Sequence, residues 1–133
     1  MSPFSVLLVD DEVVFVNALF KRINKRKITA SCAYTAEEAL EYLAEKPVDI
    51  VVMDVKMPGM GGLAALREIK KRHPLVEVIM LTGHANVELA IEGMELGAFD
   101  YLTKPTDIEE LVYKLQDAYK KRSLQLAKGN SGT

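Results

Sequence analysis

A chain of 133 residues fits one domain, and with 49% apolar residues it can build one substantial core but has no room for a second domain. Its formal charge of -2 gives no whole-molecule attraction to nucleic acid or anionic lipid. A single cysteine, Cys32, excludes an internal disulfide, and there is neither a secretory leader nor an apolar stretch approaching ~18 residues, so a reducing cytoplasm is the expected compartment and no membrane partner is expected.

The first strand is read at Val6-Leu7-Leu8-Val9, ending on Asp10, Asp11 and Glu12. Val13, Val16, Leu19, Phe20 and Ile23 then recur at helical spacing, and the basic stretch Lys21 to Lys27 closes that helix at its negative dipole end. Ile28, Ala30, Cys32 and Tyr34 alternate with Thr29, Ser31 and Ala33, the mark of a half-exposed strand at the sheet edge. Thr35-Ala36-Glu37-Glu38 reads as a capping box opening a helix through Leu40 and Leu43, and Pro47 separates it from the next strand.

The third strand, Asp49-Ile50-Val51-Val52-Met53, ends on Asp54. A breaker-rich loop, Val55-Lys56-Met57-Pro58-Gly59-Met60-Gly61-Gly62, precedes a helix with Leu63, Leu66 and Ile69 inward and Arg67, Lys70, Lys71 and Arg72 outward, ended by His73-Pro74. The fourth strand, Val78-Ile79-Met80-Leu81, ends on Thr82 and leads to a helix carrying Val87, Ala90, Ile91 and Met94 with a stop at Gly97. The fifth, Phe99 to Thr103, ends on Lys104; Thr106-Asp107-Ile108-Glu109 is read as the capping box of a last helix with Ile108, Leu111, Leu115 and Ala118 on one stripe. Residues 123–133 turn small and polar and read as a frayed tail or the start of a linker, so the domain is placed at residues 1–122.

Strict alternation of five apolar runs with five helical segments predicts a doubly wound parallel α/β sandwich with right-handed crossovers. Such folds gather ligands at the carboxyl edge of the sheet, where Asp10, Asp11, Asp54, Thr82 and Lys104 would meet. Two carboxylates some 4 Å apart repel by about 4 kcal/mol at an effective dielectric of 20, so the cluster needs protons or a counter-charge. An all-oxygen set suits Mg2+; His73, His84 and Cys32 lack the spacing of a zinc site. A carboxylate beside a metal can also serve as nucleophile and form an aspartyl phosphate, with Lys104 and the Thr82 hydroxyl holding phosphoryl oxygens. Blander roles stay open: Asp10 and Asp11 as a helix N-cap pair, Thr82 as a cap, Lys104 as a solvated turn lysine, and Tyr101 as a packed edge aromatic. The basic helix faces read as solvated surface, because neither a recognition helix nor interleaved aromatics accompany them.

Four stretches, Leu8-Val9-Asp10-Asp11-Glu12, Met53-Asp54-Val55-Lys56-Met57-Pro58-Gly59-Met60, Leu81-Thr82-Gly83-His84-Ala85 and Gly97-Ala98-Phe99-Asp100-Tyr101-Leu102-Thr103-Lys104-Pro105, together resemble the receiver domain of bacterial two-component response regulators. The resemblance covers residues 4 to about 122. It implies a flavodoxin-like five-stranded sheet in the order 2-1-3-4-5, phosphorylation of Asp54, and a Mg2+ ion held by Asp10 (mainly through a water), Asp11, Asp54 and the Lys56 backbone carbonyl. It further implies catalytic roles for Thr82 and Lys104 in gripping the phosphoryl group, Tyr101 as a switch aromatic acting with Thr82, and a cis Lys104-Pro105 bond. The implied partners are a sensor histidine kinase or phosphotransfer protein, with a homodimer through the fourth helix, fifth strand and fifth helix as one arrangement, and no direct contact of this domain with nucleic acid.

The expected function is a signalling switch, tied to transcription regulation, that catalyses only its own phosphorylation and dephosphorylation. Gly61 departs from the aspartate common in the family, which removes a helix cap worth a few tenths of a kcal/mol. Lys56 and His84 occupy variable positions that flank the path of an attacking water. Two rival classes are an aspartate-nucleophile phosphohydrolase, disfavoured because the acid it needs two residues after the nucleophile is Lys56, and an unphosphorylated interaction module, disfavoured by the intact acidic set.

Overall fold

The computed structural model describes residues 4–83 and 86–131, with side chains described through residue 128. Five strands, β1 (Ser5–Val9), β2 (Thr29–Ala33), β3 (Ile50–Asp54), β4 (Glu77–Thr82) and β5 (Asp100–Thr103), alternate with α1 (Val13–Lys25), α2 (Ala36–Glu45), α3 (Gly62–Arg72), α4 (Val87–Glu95) and α5 (Ile108–Ser131). The strands form one parallel sheet in the order β2-β1-β3-β4-β5, the flavodoxin-like arrangement that the sequence resemblance implies. Among the described residues no helix is long and apolar enough to cross a membrane.

Because successive strand residues point to opposite faces, the apolar runs divide between two cores. Leu7, Val9, Val51, Met53, Val78 and Met80 meet Ala39, Leu40, Leu43, Leu66 and Ile69 of α2 and α3. Val6, Leu8, Val52, Ile79, Leu81 and Leu102 meet Leu19 and Ile23 of α1 and Leu111 and Leu115 of α5. Each such fully buried leucine or isoleucine contributes roughly 1.5–3 kcal/mol. β3 and β4 are buried along their whole length, while β2, at the edge, is half-exposed as its alternation predicts.

Local signals fare unevenly. Thr35 caps α2, its hydroxyl accepting the Glu38 N–H at 3.0 Å. The cap of α5 is Asp107, not Thr106: the Glu109 N–H donates to Asp107 Oδ1 at 2.8 Å, whereas Thr106 Oγ1 is buried without a partner. Gly97, at φ +106°, ends α4 in a Schellman turn, with Gly97 N–H to Met94 O and Ala98 N–H to Gly93 O. α4 lies close on the sheet through Ala90 and Gly93, which turns Ile91 and Met94 outward rather than onto the core stripe.

Lys70, expected in water, instead lays its stem along the protein and donates to the Pro74 and Val76 carbonyls at 2.9 and 3.0 Å. Burial lowers its pKa, opposed by the charge of Glu77. α5 is tied down by Arg122, which donates to Asp49 Oδ1 at 2.8 Å and to the Leu75 carbonyl at 2.6 Å. The helix does not stop there: the segment read as a tail or linker from Ser123 is helical to Ser131.

Candidate functional site

Parallel pairing aligns the carboxyl ends of the strands, and backbone hydrogen bonds carry the ladder one residue further. Asp10 N–H donates to Ala33 O at 3.2 Å, Val55 N–H to Leu81 O at 2.9 Å and Lys104 N–H to Thr82 O at 2.8 Å. These bonds fix the stations of Asp10 after β1, Asp54 at the end of β3, Thr82 at the end of β4 and Lys104 after β5. The Lys104-Pro105 bond is cis.

The side chains converge around the Lys104 ammonium. Its Nζ stands 2.6 Å from Glu12 Oε1, 2.7 Å from Asp10 Oδ2 and 3.3 Å from Asp54 Oδ2. The Asp10 contact is an ion pair at 2.7 Å, in which Oδ2 accepts no hydrogen bond from the backbone. The other carboxylate oxygens are held by backbone: Glu12 N–H donates to Asp10 Oδ1 at 2.9 Å and Lys56 N–H to Asp54 Oδ1 at 3.2 Å. On a further side the Phe15 ring centroid lies 4.6 Å from Nζ.

Burial sets the electrostatics. Asp10 is 1% exposed and Asp54 8%, and burial pushes both carboxyl groups above the ordinary carboxylate range, with Lys104 pulling the other way. The charge of Asp11 adds to the rise at Asp54. Burial also works against the ammonium of Lys104, but its bonds to Asp10 and Glu12 and the field of Asp54 outweigh that and hold its pKa above the usual lysine value. One cation against the three carboxylates of Asp10, Glu12 and Asp54 leaves the cluster net negative.

Oxygens of Asp10, Glu12 and Asp54 lie within 4.8 Å of one another, a grouping that could hold a metal ion. With oxygen donors and neither thiol nor imidazole among them, the set fits a hard cation. It opens into a cleft of about 280 Å3 lined by Asp11, Glu12, Asp54, Lys56, Gly83 and Lys104. A groove of similar volume at the opposite edge of the sheet, between Leu43, Pro47, Pro74 and Arg122, holds no carboxylate cluster.

Of the residues singled out in the sequence, Asp10, Asp54 and Lys104 come into contact, and Asp11 lies on the wall of the cleft. Thr82 is fully buried at the edge, its hydroxyl donating to Gly83 O at 3.1 Å. Tyr101 is half-buried and packs on the core face shared with α2, α3 and α4. Lys56 lines the cleft. His84 lies outside the described residues. Gly62 is required for close approach: a Cβ there would sit 2.3 Å from Asp54 O, and Gly61, at φ +81°, is the uncapped N-cap of α3.

Sequence reasoning gave no role to Glu12 or Phe15. Glu12 is the N-cap of α1 and Phe15 lies in its first turn, and from there both reach the Lys104 ammonium. Cys32 is half-buried with its thiol pKa raised by burial, consistent with a packing role.

The sequence profile of the response regulator receiver domain matches residues 6–116. The DNA-binding transcriptional regulator NtrC of Escherichia coli (strain K12) is 40% identical over 113 residues, covering 85% of this chain and 24% of that protein. A putative response regulator, NtrX-like, of Rickettsia bellii is 39% identical over 120 residues, covering 89% of this chain and 25% of the relative. This chain thus spans about a quarter of the length of the curated relatives it matches. The crystal structure of the receiver domain of NtrX from Brucella abortus superimposes with a TM-score of 0.83 at 32% identity, covering 86% of this chain and 98% of that one. Fold, site geometry and sequence agree, and the chain belongs to the response regulator receiver domain family.

Proposed function

We propose that this domain, residues 1–122, is the phosphorylation-controlled input of a larger regulator, with Asp54 as the residue that takes the phosphoryl group. The donor is a phosphohistidine on a sensor kinase or phosphotransfer protein: an Asp54 carboxylate oxygen forms the new O–P bond as the N–P bond breaks. The observation that carries this reading is the meeting of Asp54, Asp10 and Lys104 at one strand edge, with Lys104 Nζ 3.3 Å from Asp54 Oδ2 and 2.7 Å from Asp10 Oδ2.

Asp10, Asp11, Asp54 and the Lys56 carbonyl are assigned as the Mg2+ ligands; bound there, the ion supplies the positive charge that the three-to-one excess of carboxylates over Lys104 lacks. Lys56 N–H holds Asp54 Oδ1 and so orients the carboxylate for attack. Lys104 then moves onto a phosphoryl oxygen, and the Thr82 hydroxyl exchanges Gly83 O for another.

Drawing Thr82 toward the edge changes what Tyr101, one strand over and two positions back in register, packs against. Tyr101 and Thr82 thereby pass the event to α4, β5 and α5, which carry the exposed Ile91, Met94 and Tyr113 and the Asp100–Lys114 ion pair. The α4–β5–α5 face is the one assigned to the output domain or a second copy, in a cytoplasmic regulator of transcription whose DNA contacts lie outside this domain. Incubation with acetyl phosphate and Mg2+ should add one phosphoryl group to the wild-type chain and none to Asp54→Asn with its fold intact. Equal uptake by both would overturn the assignment.

A further inference from the structure

We propose that Glu12 is a positioning residue that parks Lys104 in the unphosphorylated state, so that a phosphoryl group on Asp54 has to draw the ammonium away from it. This rests on the reading of Asp54 given above. The shortest contact of Nζ is with Glu12, at 2.6 Å as a hydrogen bond, against 3.3 Å to Asp54. Phe15, in the first turn of α1, places its ring 4.6 Å from the same nitrogen, so the start of α1 supplies both an anion, from its N-cap Glu12, and an aromatic rest.

The backbone of Glu12 is pinned, its N–H on Asp10 Oδ1 and its carbonyl accepting from Val16 N–H at 3.0 Å, while its side chain makes no cap bond to α1. The Glu12 side chain is 63% exposed and that of Lys104 15%, so the pair lies at the rim. Screened ion pairs of this kind are weak enough to be displaced. A phosphoryl group, with nearly two negative charges, is the stronger partner and takes the lysine on activation.

Glu12 also belongs to the grouping that could hold a metal, and the sign of one measurement separates the two roles. With Mg2+ saturating for each protein, beryllofluoride is titrated into the wild-type chain, Glu12→Gln, Lys104→Met and the double variant, followed by amide NMR shifts. Parking predicts that Glu12→Gln binds the phosphoryl mimic roughly two- to fivefold more tightly, the range of a partly exposed ion pair. It also predicts that the gain vanishes when Lys104 is Met. In the metal-free chain the Lys104 ammonium protons should exchange with water faster in Glu12→Gln than in wild type. Weaker mimic binding by Glu12→Gln would make Glu12 a metal ligand, and unchanged binding or a gain that persists without Lys104 would equally overturn the proposal. Absence of any response in the wild-type chain would instead defeat the reading of Asp54, which Glu12→Gln does not touch.

Discussion

Replacing Lys104 with methionine removes the cation on which the buried Asp10 and Asp54 and the exposed Glu12 converge, and its cost can be bounded. At 2.7 Å from Asp10 Oδ2, an effective dielectric of about 20 gives roughly 6 kcal/mol of attraction. The loss cannot reach that figure, because an uncompensated carboxylate takes a proton instead. From an ordinary pKa of 3.8, protonation costs about 4 kcal/mol at pH 7 and about 1.6 kcal/mol at pH 5. Burial already raises the folded-state pKa of Asp10 and Asp54, and removing Lys104 raises both further. A carboxyl with a raised folded pKa favours the folded state below its unfolded pKa, and loses that contribution as pH climbs through the folded value. The variant should therefore be less stable than wild type by about 2–4 kcal/mol at pH 7 without divalent metal, and the deficit should shrink toward pH 5. In urea that is a midpoint shift of about 1–2 M. Mg2+ should reverse most of it, since the competing cation is gone. An unfolding midpoint in chelator equal to wild type, or a deficit independent of pH between 5 and 8, would refute the electrostatic account of the cluster.

Other consequences are as direct. Thr82→Ala and Lys104→Ala should still accept some phosphoryl group from acetyl phosphate but fail to pass the change to the α4–β5–α5 face, read as loss of phosphorylation-dependent shifts at Ile91, Met94 and Tyr113. Gly62→Ala places a Cβ 2.3 Å from Asp54 O and should destabilise the fold by about 3 kcal/mol or more while displacing Asp54, seen as a lower melting temperature and weakened response to phosphodonor. Asp107→Ala should cost about 1 kcal/mol by loss of the α5 cap, whereas Thr106→Val, which removes an unpartnered hydroxyl, should be neutral or slightly stabilising in the same melt.

The sheet was legible because each of its buried strands is a short apolar run that a polar residue ends, and parallel connection forces those ends to one edge. The strand order came from the resemblance carried by the stretches around Asp10, Asp54, Thr82 and Lys104, since composition and periodicity leave order undetermined. What escaped the sequence is side-chain geometry that depends on neighbours distant along the chain. Thr106 and Asp107 both suit a cap, and only the fold shows that α5 starts so that the Glu109 N–H meets Asp107 Oδ1. Lys70 looks like any outward lysine until the carbonyls of Pro74 and Val76 come within its reach. Ile91 and Met94 fit a core stripe by spacing, yet the small Ala90 and Gly93 are what lets α4 approach the sheet. Glu12 reads as the third acid of a run, and only the fold shows that it, rather than Asp11, reaches Lys104.

The most direct test of the central claim is chemical mapping of the phosphoryl group. After reaction with a small phosphodonor in Mg2+, borohydride reduction followed by peptide mass spectrometry should convert Asp54 alone to homoserine, with conversion abolished by chelator. A phosphoryl group mapped to another residue, or none formed under conditions where Mg2+ demonstrably binds, would contradict the account.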